Sequence, residues 1–312
     1  MDRVVRIGAA QLGPVARRDD RHEVVQRMVS LLDHAAEDGC DLVVFPELAL
    51  TTFFPRWAMD DQEEIDSFFE AEMPGPATQA LFTAAKRHGI GFCLGFAELV
   101  TDSGGAHRHY NTALLVDAET NEVGRYRKVH LPGHDEPEPW RPFQHLEKRY
   151  FDVGPDGFQT WRAFGGVVGM AICNDRRWPE TYRVLALRGA EVVLIGYNTP
   201  VHNPPAPEHD ALSDFHNHLV MQAGAYQNGM WVVGVAKAGD EEGVPMIGGT
   251  AIIAPSGEIV SQASTLGDEL VVSDCDLDAC ASYRTTTFDF ERHRRPEHYE
   301  IITTQRGSTP PD

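Results

Sequence analysis

Short apolar runs along this chain alternate with longer segments in which apolar residues recur at helical spacing. The segment 20–37 is the clearest helix, and a first apolar run at 4–11 precedes it as a strand. Further helices are predicted at 63–70, 76–88, 179–188 and 212–227. Further strands are predicted at 41–45, 91–100, 110–117, 123–129, 165–172, 191–197, 229–236, 250–254, 258–260 and 270–276.

The order of these elements indicates an α/β protein. Strands alternate with helices in the βαβ manner, but hairpins such as the one that turns at 119–122 interrupt the alternation. That mixture favours two mixed sheets covered by helices. The chain shows no repeat and no linker, and the proline-rich stretch 200–207 is predicted to be a loop. We therefore expect one domain over residues 1–300, followed by a tail at 301–312.

Composition and charge narrow the classes of function. The chain has 312 residues, 42% of them hydrophobic, which is ample for a large core. The formal net charge of −20 disfavours nucleic acid as a partner. No apolar run approaches the ~20 residues that a membrane span needs, so no membrane partner is expected. The start of the chain leads directly into a strand, and five cysteines form no disulfide framework, so we expect a cytoplasmic location.

Cys173 is the first candidate for chemistry. An apolar run over 167–172 brings this cysteine to the end of a strand, and a polar turn then leads to a helix that begins at Pro179. Most cysteines are small buried hydrophobic residues, and a motif is only a hypothesis. The cysteine spacings include no CxxC pair and no zinc pattern, and no metal or organic cofactor is expected.

Two other segments strengthen the case for Cys173. Glu47 ends the apolar strand 41–45 after a proline, where a carboxylate needs a partner or a task. Lys128 follows a hairpin strand and precedes a Pro-Gly turn. Taken singly, Glu47 is typical of a solvated strand end and Lys128 of a surface cation. Together with Cys173, each beside a strand, they form a specific pattern.

At these residues the sequence resembles the nitrilase superfamily of carbon–nitrogen hydrolases, over a span from Ile7 to about Tyr299. Within it, the chain is similar to the N-carbamoyl-D-amino acid amidohydrolases. The strings that carry this likeness are Phe45 to Trp57, Arg141 to Phe151, Cys173 to Glu180, Tyr197 to Pro200 and His202 to Pro205. The resemblance implies a single carbon–nitrogen hydrolase domain with a four-layer α-β-β-α sandwich. It also implies a homo-oligomer, a homodimer or homotetramer.

Hydrolysis of a urea or amide needs a strong nucleophile, a base that becomes an acid, and donors for the oxyanion. Cys173 supplies the sulfur, Glu47 takes the thiol proton and later protonates the leaving amine, and Lys128 stabilises the oxyanion. The backbone N–H of Asn174 is a second candidate donor. The resemblance makes Glu147 a fourth polar member that orients Lys128 or the attacking water.

The substrate is expected to be held by its carboxylate. Arg176 and Arg177 are the best candidates for that contact, because a guanidinium fork matches a carboxylate bidentately. Adjacent residues in a turn can point apart, so both need not bind. Asn198 and Thr199 follow the next strand and offer further hydrogen bonds. Other candidates for the pocket wall are Asn174, His130 and His145, with structural support favoured for the two histidines and for His216.

The reaction expected from the resemblance converts an N-carbamoyl-D-amino acid to the D-amino acid, ammonia and carbon dioxide through an acyl-enzyme on Cys173. Preference for the D enantiomer follows from the likeness alone. Three alternatives remain open. They are an amidase acting on N-carbamoyl-β-alanine or a simple amide, a binding or regulatory protein without catalysis, and a zinc-dependent cyclic amidase.

Overall fold

The computed structural model describes residues 3–102 and 104–311. Its strands are β1 Val4–Gln11, β2 Leu42–Val44, β3 Gly91–Thr101, β4 His107–Val116, β5 Glu122–Arg127, β6 Thr160–Ala163, β7 Gly166–Ile172, β8 Val192–Tyr197, β9 Trp231–Ala236, β10 Ala238–Glu241, β11 Val244–Ile247, β12 Ala251–Ile253, β13 Ile259–Gln262 and β14 Glu269–Asp276. Its α-helices are α1 Arg21–Glu37, α2 Gln62–Asp66, α3 Gln79–His88, α4 Glu147–Tyr150, α5 Pro179–Leu187, α6 Ser213–Asn228, α7 Ala279–Arg284, α8 Phe290–His293 and α9 Glu300–Thr304.

Two six-stranded sheets form the centre of the molecule. The first has the order β14-β1-β2-β3-β4-β5, and the second has the order β13-β12-β9-β8-β7-β6. Both are mixed, because β1, β2 and β3 run parallel in the first sheet, as β7, β8 and β9 do in the second, while the outer pairs are antiparallel. β10 and β11 form a separate hairpin.

Apolar side chains join the layers. Ile7 and Val44 of the first sheet and Ile172 of the second belong to one buried cluster between the sheets. α1 and α3 cover the outer face of the first sheet through residues such as Met28 and Phe82. α5 and α6 cover the outer face of the second sheet, where Leu185 and Met221 join the central cluster. The four-layer α-β-β-α sandwich is therefore confirmed.

Several elements are not among those predicted. The edge strand β6, the hairpin of β10 and β11, and the short helices α4, α7, α8 and α9 carry few apolar residues at regular spacing. In the hairpin, the turn relies on Glu242 and Gly243, which both have positive φ, as a tight two-residue turn requires. Helix α9 starts at Glu300, one residue before the expected start of the tail. Among the described residues, no helix has the length and apolar character that a membrane span requires.

Candidate active site

Cys173 follows β7 directly and begins a short 3-10 helix over Cys173–Arg177. Its φ is 44°, in the left-handed region that side chains other than glycine rarely adopt. Strained backbone of this kind is concentrated at functional sites, where the surrounding structure holds it in place. The sulfur lies 3.7 Å from the Thr199 Oγ1 and 3.9 Å from the Asn198 carbonyl oxygen, at the end of β8.

A buried carboxylate, Asp175, fixes this turn. Its Oδ2 accepts hydrogen bonds from the Ile172 N–H at 3.0 Å and the Tyr126 hydroxyl at 2.7 Å. Its Oδ1 accepts from the His130 N–H at 3.0 Å and lies 2.8 Å from His130 Nδ1. Burial and the neighbouring carboxylate raise the pKa of Tyr126, so this phenol stays a donor. The sequence interpretation missed Asp175, although an acidic residue two positions after the candidate nucleophile was a visible signal.

Glu47 is held between the two sheets by a pair of glycines. A Cβ at Gly95 of β3 would lie 2.4 Å from the Pro46 carbonyl oxygen, and one at Gly196 of β8 would lie 2.5 Å from the Glu47 nitrogen. Real Cβ atoms do not approach backbone this closely. Because neither glycine has a side chain, the Pro46–Glu47 backbone can pass between β3 and β8 in the middle of the sandwich.

Lys128 lies between two buried carboxylates. Its Nζ donates to Glu47 Oε1 and to Glu147 Oε2, each at 2.6 Å. The Asn111 amide also donates to Glu47 Oε1, at 2.7 Å. Glu47 Oε2 accepts no hydrogen bond from the described residues, so this oxygen is available for a proton. Asn111 was not predicted, although a polar residue just before the apolar end of β4 was a signal for it.

The pKa shifts give the three ionisable groups different tasks. Burial lowers the pKa of Lys128, but the charges of Glu147 and Glu47 outweigh burial and raise it, so the lysine stays cationic. Burial raises the pKa of Glu147, but Lys128 and His145 outweigh burial and lower it. Burial raises the pKa of Glu47, and it remains raised beside Lys128. Glu147 is thus the fixed anion and Glu47 the carboxylate that accepts a proton more readily.

Cys173 is a neutral thiol at rest in this environment. Burial raises its pKa, the charge of Glu47 adds to that effect, and Lys128 and Arg176 only partly offset it. A thiol of this kind needs a base that removes its proton as it attacks. Glu47 is the candidate base, because among the neighbouring charges its charge affects the pKa of Cys173 most.

The two arginines after the cysteine point to different surroundings. Arg176 is buried and donates to the Asn217 side chain at 2.9 Å, the Cys173 carbonyl at 2.7 Å and the Thr199 hydroxyl at 3.0 Å. Arg177 is exposed and forms no ion pair or hydrogen bond with the described residues. The predicted pair is therefore divided. Arg176 supports the nucleophile turn with its donors directed at the protein, whereas Arg177 has no such partner, and burial together with the charge of Arg176 lowers the pKa of its guanidinium.

A cavity of about 300 Å³ opens beside the site. Its inner wall includes Thr199, which contacts the Cys173 sulfur, and His145, whose Nε2 lies 3.3 Å from Glu147 Oε1. Arg177 and Arg141 also line it, and among the residues that the structure describes no Asp or Glu does. Cys173, Glu47 and Lys128 are not among the residues that line it, although the cavity reaches them through the contacts of Thr199 with Cys173 and of His145 with Glu147.

The remaining predicted contacts lie elsewhere. The Asn174 amide donates to the His130 carbonyl at 3.1 Å, and both residues line a shallow depression beside Trp178 rather than the cavity. His130 also stacks on the Trp178 ring with centroids 5.2 Å apart. The Asn198 side chain is buried with neither polar atom bonded to described residues. Within the described ranges, no three His, Cys, Asp or Glu side chains converge to hold a metal ion.

Comparison with known proteins agrees with this geometry. Residues 6–285 match the family described as carbon-nitrogen hydrolase. An N-carbamoylputrescine amidase from Solanum lycopersicum is 30% identical, over 99% of this chain and 98% of that protein. A citrullinase from Francisella tularensis subsp. tularensis is 27% identical, over 91% and 94%. The crystal structure of a carbon-nitrogen hydrolase from Helicobacter pylori G27 superposes with a TM-score of 0.82 at 20% identity, over 97% of this chain and 99% of that one.

Proposed function

The chain belongs to the carbon–nitrogen hydrolase family, and from that premise we propose that it hydrolyses the ureido group of N-carbamoyl amino acids, with preference for the D enantiomer. That it is a carbon–nitrogen hydrolase acting on amides follows from the family; the anionic substrate is our proposal. The observation that supports it is Arg177, an exposed cation without a protein partner on a cavity that no carboxylate of the described residues lines.

The catalytic steps follow from the arrangement of the buried groups. Glu47 removes the Cys173 proton as the sulfur attacks the ureido carbon, and the oxyanion forms beside Lys128, which stays cationic. The tetrahedral species collapses to an acyl-enzyme as Glu47 returns its proton to the departing nitrogen. Glu47 then activates a water molecule that releases the acyl group. Glu147 keeps Lys128 in position through its 2.6 Å contact.

Charge distinguishes this substrate from the one named for a relative. N-carbamoylputrescine carries an ammonium group at physiological pH, whereas an N-carbamoyl amino acid carries a carboxylate. A cavity with Arg177 on its wall favours the carboxylate, while Arg141, also on the wall, is already paired with Glu138 at 2.6 Å. N-carbamoylputrescine is nevertheless the second candidate, because the tomato amidase is 30% identical to this chain over nearly its full length.

The D preference rests on the resemblance of the segments around Glu47, Glu147 and Cys173 to the N-carbamoyl-D-amino acid amidohydrolases. N-carbamoyl-β-alanine also carries a carboxylate, and it remains an alternative that Arg177 does not exclude.

The test is the steady-state kinetics of Arg177→Gln. We expect KM for N-carbamoyl-D-phenylalanine to rise roughly 10-fold to 100-fold, because a charge-assisted hydrogen bond contributes about 1.5–3 kcal/mol. Turnover of a neutral amide such as propionamide should change little. Arg188→Gln, at an exposed arginine that caps the C-terminus of α5, is the matched control. An unchanged KM for the anionic substrate, or faster turnover of N-carbamoylputrescine by the unaltered enzyme, would contradict the proposal.

A further inference from the structure

A second group of buried charges lies outside the reacting centre. Arg56, Lys237 and Glu241 are all buried, with side chains 2% exposed or less. Glu241 Oε1 accepts from Lys237 Nζ at 3.0 Å, and its Oε2 accepts from Arg56 Nη1 at 3.1 Å. Lys237 Nζ also donates to the Thr51 carbonyl, and Arg56 Nη2 donates to the Thr52 hydroxyl at 2.8 Å. We call these three residues the ionic cluster.

The ionic cluster holds the segment that follows Glu47. The Glu241 carboxylate accepts a backbone hydrogen bond from Phe53 at 3.0 Å, and with the bonds to Thr51 and Thr52 it ties residues 51–56 to the hairpin of β10 and β11. Burying charges costs desolvation free energy, and replacing a buried ion pair with apolar residues is often neutral or stabilising. Global stability alone therefore does not account for the cluster.

The held segment contacts the part of the chain that carries Glu147. The Pro55 carbonyl accepts from the Leu146 N–H at 2.8 Å, and the Arg56 carbonyl accepts from the Gln144 N–H at 3.0 Å. The Phe53 ring meets His145 edge to face, with centroids 5.3 Å apart. Leu146 immediately precedes Glu147, the first residue of α4. Three contacts thus place residues 144–147 against residues 53–56.

We propose that Arg56, Lys237 and Glu241 are positioning residues that set the distance between Glu147 and Lys128 through residues 53–56 and 144–146. The cluster touches no reacting atom. It acts by fixing the backbone that carries His145 and Glu147. A substitution in the ionic cluster therefore shifts the Glu147 carboxylate relative to Lys128 and shifts His145 on the wall of the cavity. This inference rests on the proposed roles of Cys173 and Lys128 but not on the choice of substrate.

The test is a double-mutant cycle between Arg56→Met and Glu147→Gln. The readout is the rate at which iodoacetamide alkylates Cys173 across pH, which needs no knowledge of the substrate. Burial raises the pKa of Cys173 and of the four other cysteines alike, so the alkylation of Cys173 is followed separately, by mass spectrometry of the peptide that contains it. Turnover of the best amide substrate is measured in parallel. Arg3→Met is the matched control, because it breaks a partly buried ion pair with Glu191, and the charges that raise the pKa of Arg3 are those of Glu191 and Asp278, not of the ionic cluster.

In the protein with Glu147 intact, we expect Arg56→Met to change the Cys173 alkylation rate and kcat by about 10-fold. In the Glu147→Gln background, the same substitution should change them by less than about 2-fold, because the effects of residues that act through one another are not additive. Arg56→Lys, which keeps the charge but not the fork, should show the same non-additivity if Arg56→Met unfolds. Equal effects in the two backgrounds would overturn the proposal. If the protein hydrolysed none of the carbamoyl substrates but the effects on alkylation were still non-additive, the proposed function would be refuted and the positioning role would remain supported.

Discussion

Two carboxylates on one lysine perform different tasks because their surroundings differ. Glu147 has Lys128 on one oxygen and His145 near the other, which lowers its pKa. Glu47 has Lys128 and Asn111 on the same oxygen and leaves the other free, while burial raises its pKa. Groups whose pKa values are pushed apart in this way are typical of an acid–base site.

The raised pKa of Glu47 sets the acid limb of the pH profile. Glu47 must be deprotonated to act as base, so activity is lost as pH falls through its pKa. A raised pKa places that loss above the unperturbed glutamate value of about 4.3. Because the Glu147 charge helps to raise this pKa, Glu147→Gln should move the acid limb of kcat/KM to lower pH. A pH series of kcat/KM measures the shift.

The exposed carboxylate of Glu119 provides the control for that series. Glu119→Gln removes one negative charge without touching the site and should leave the acid limb in place. An acid limb that stays in place, or moves to higher pH, in Glu147→Gln would show that Glu47 is not the group that titrates.

Among the strands, the approach of β3 and β8 to the Glu47 backbone is the feature on which the site depends. Gly196→Ala would place a Cβ 2.5 Å from the Glu47 nitrogen, against rigid backbone. We expect a loss of about 1–3 kcal/mol in the free energy of unfolding, typical of overpacking. We also expect a fall in kcat of at least 10-fold, on the order seen when catalytic groups are displaced by about 1 Å.

Gly169→Ala on β7 is the matched control. Its Cβ would lie 3.1 Å and 3.3 Å from the two methyl groups at the end of the Leu185 side chain, which can move, and 3.4 Å from the Ala190 Cβ. Urea unfolding and kcat are measured for both variants. If Gly196→Ala kept full kcat, the backbone position of Glu47 would not be set by these strands.

The long elements of the fold were predictable because their core-facing residues repeat regularly. α1 buries Val24, Met28 and Leu32 at helical spacing, and α3 ends at Gly89 in the left-handed conformation, as a glycine at that place indicates. The short edge strand β6 and the hairpin of β10 and β11 were missed, because contacts made in the folded chain, rather than local pattern, determine them.

The site was predictable in its residues but not in its geometry. Glu47, Lys128 and Glu147 are brought together as expected, with Cys173 close enough for their charges to shift its pKa. The different surroundings of Arg176 and Arg177 depend on a single 3-10 turn, whose side-chain directions no spacing rule gives. The partnership of Asp175 with Tyr126 also joins residues 49 positions apart.

On the outer surface, α6 exposes apolar side chains that a second copy would cover. Phe215 is 59% exposed and Leu219 is 46% exposed, one helical turn apart, and Leu187 of α5 is 49% exposed. A two-fold axis lets the same patch on two copies pack together. The homo-oligomer expected from the sequence stays a prediction, and we expect a dimer or tetramer by light scattering at micromolar concentration.

Leu219→Asp should shift that assembly toward the monomer, because a charge would be buried at the contact. Leu266→Asp, at a position 58% exposed on another face, should leave the mass unchanged. A monomer in the unaltered protein would end this prediction.

The most direct measurement is ammonia release from N-carbamoyl-D-phenylalanine, its L enantiomer and N-carbamoylputrescine, by the unaltered protein and by Cys173→Ala. We predict D-selective release that exceeds release from N-carbamoylputrescine and falls to background in Cys173→Ala. Undiminished release by Cys173→Ala would overturn the mechanism. Release only from N-carbamoylputrescine would assign the cavity to a cation, contrary to the role proposed for Arg177.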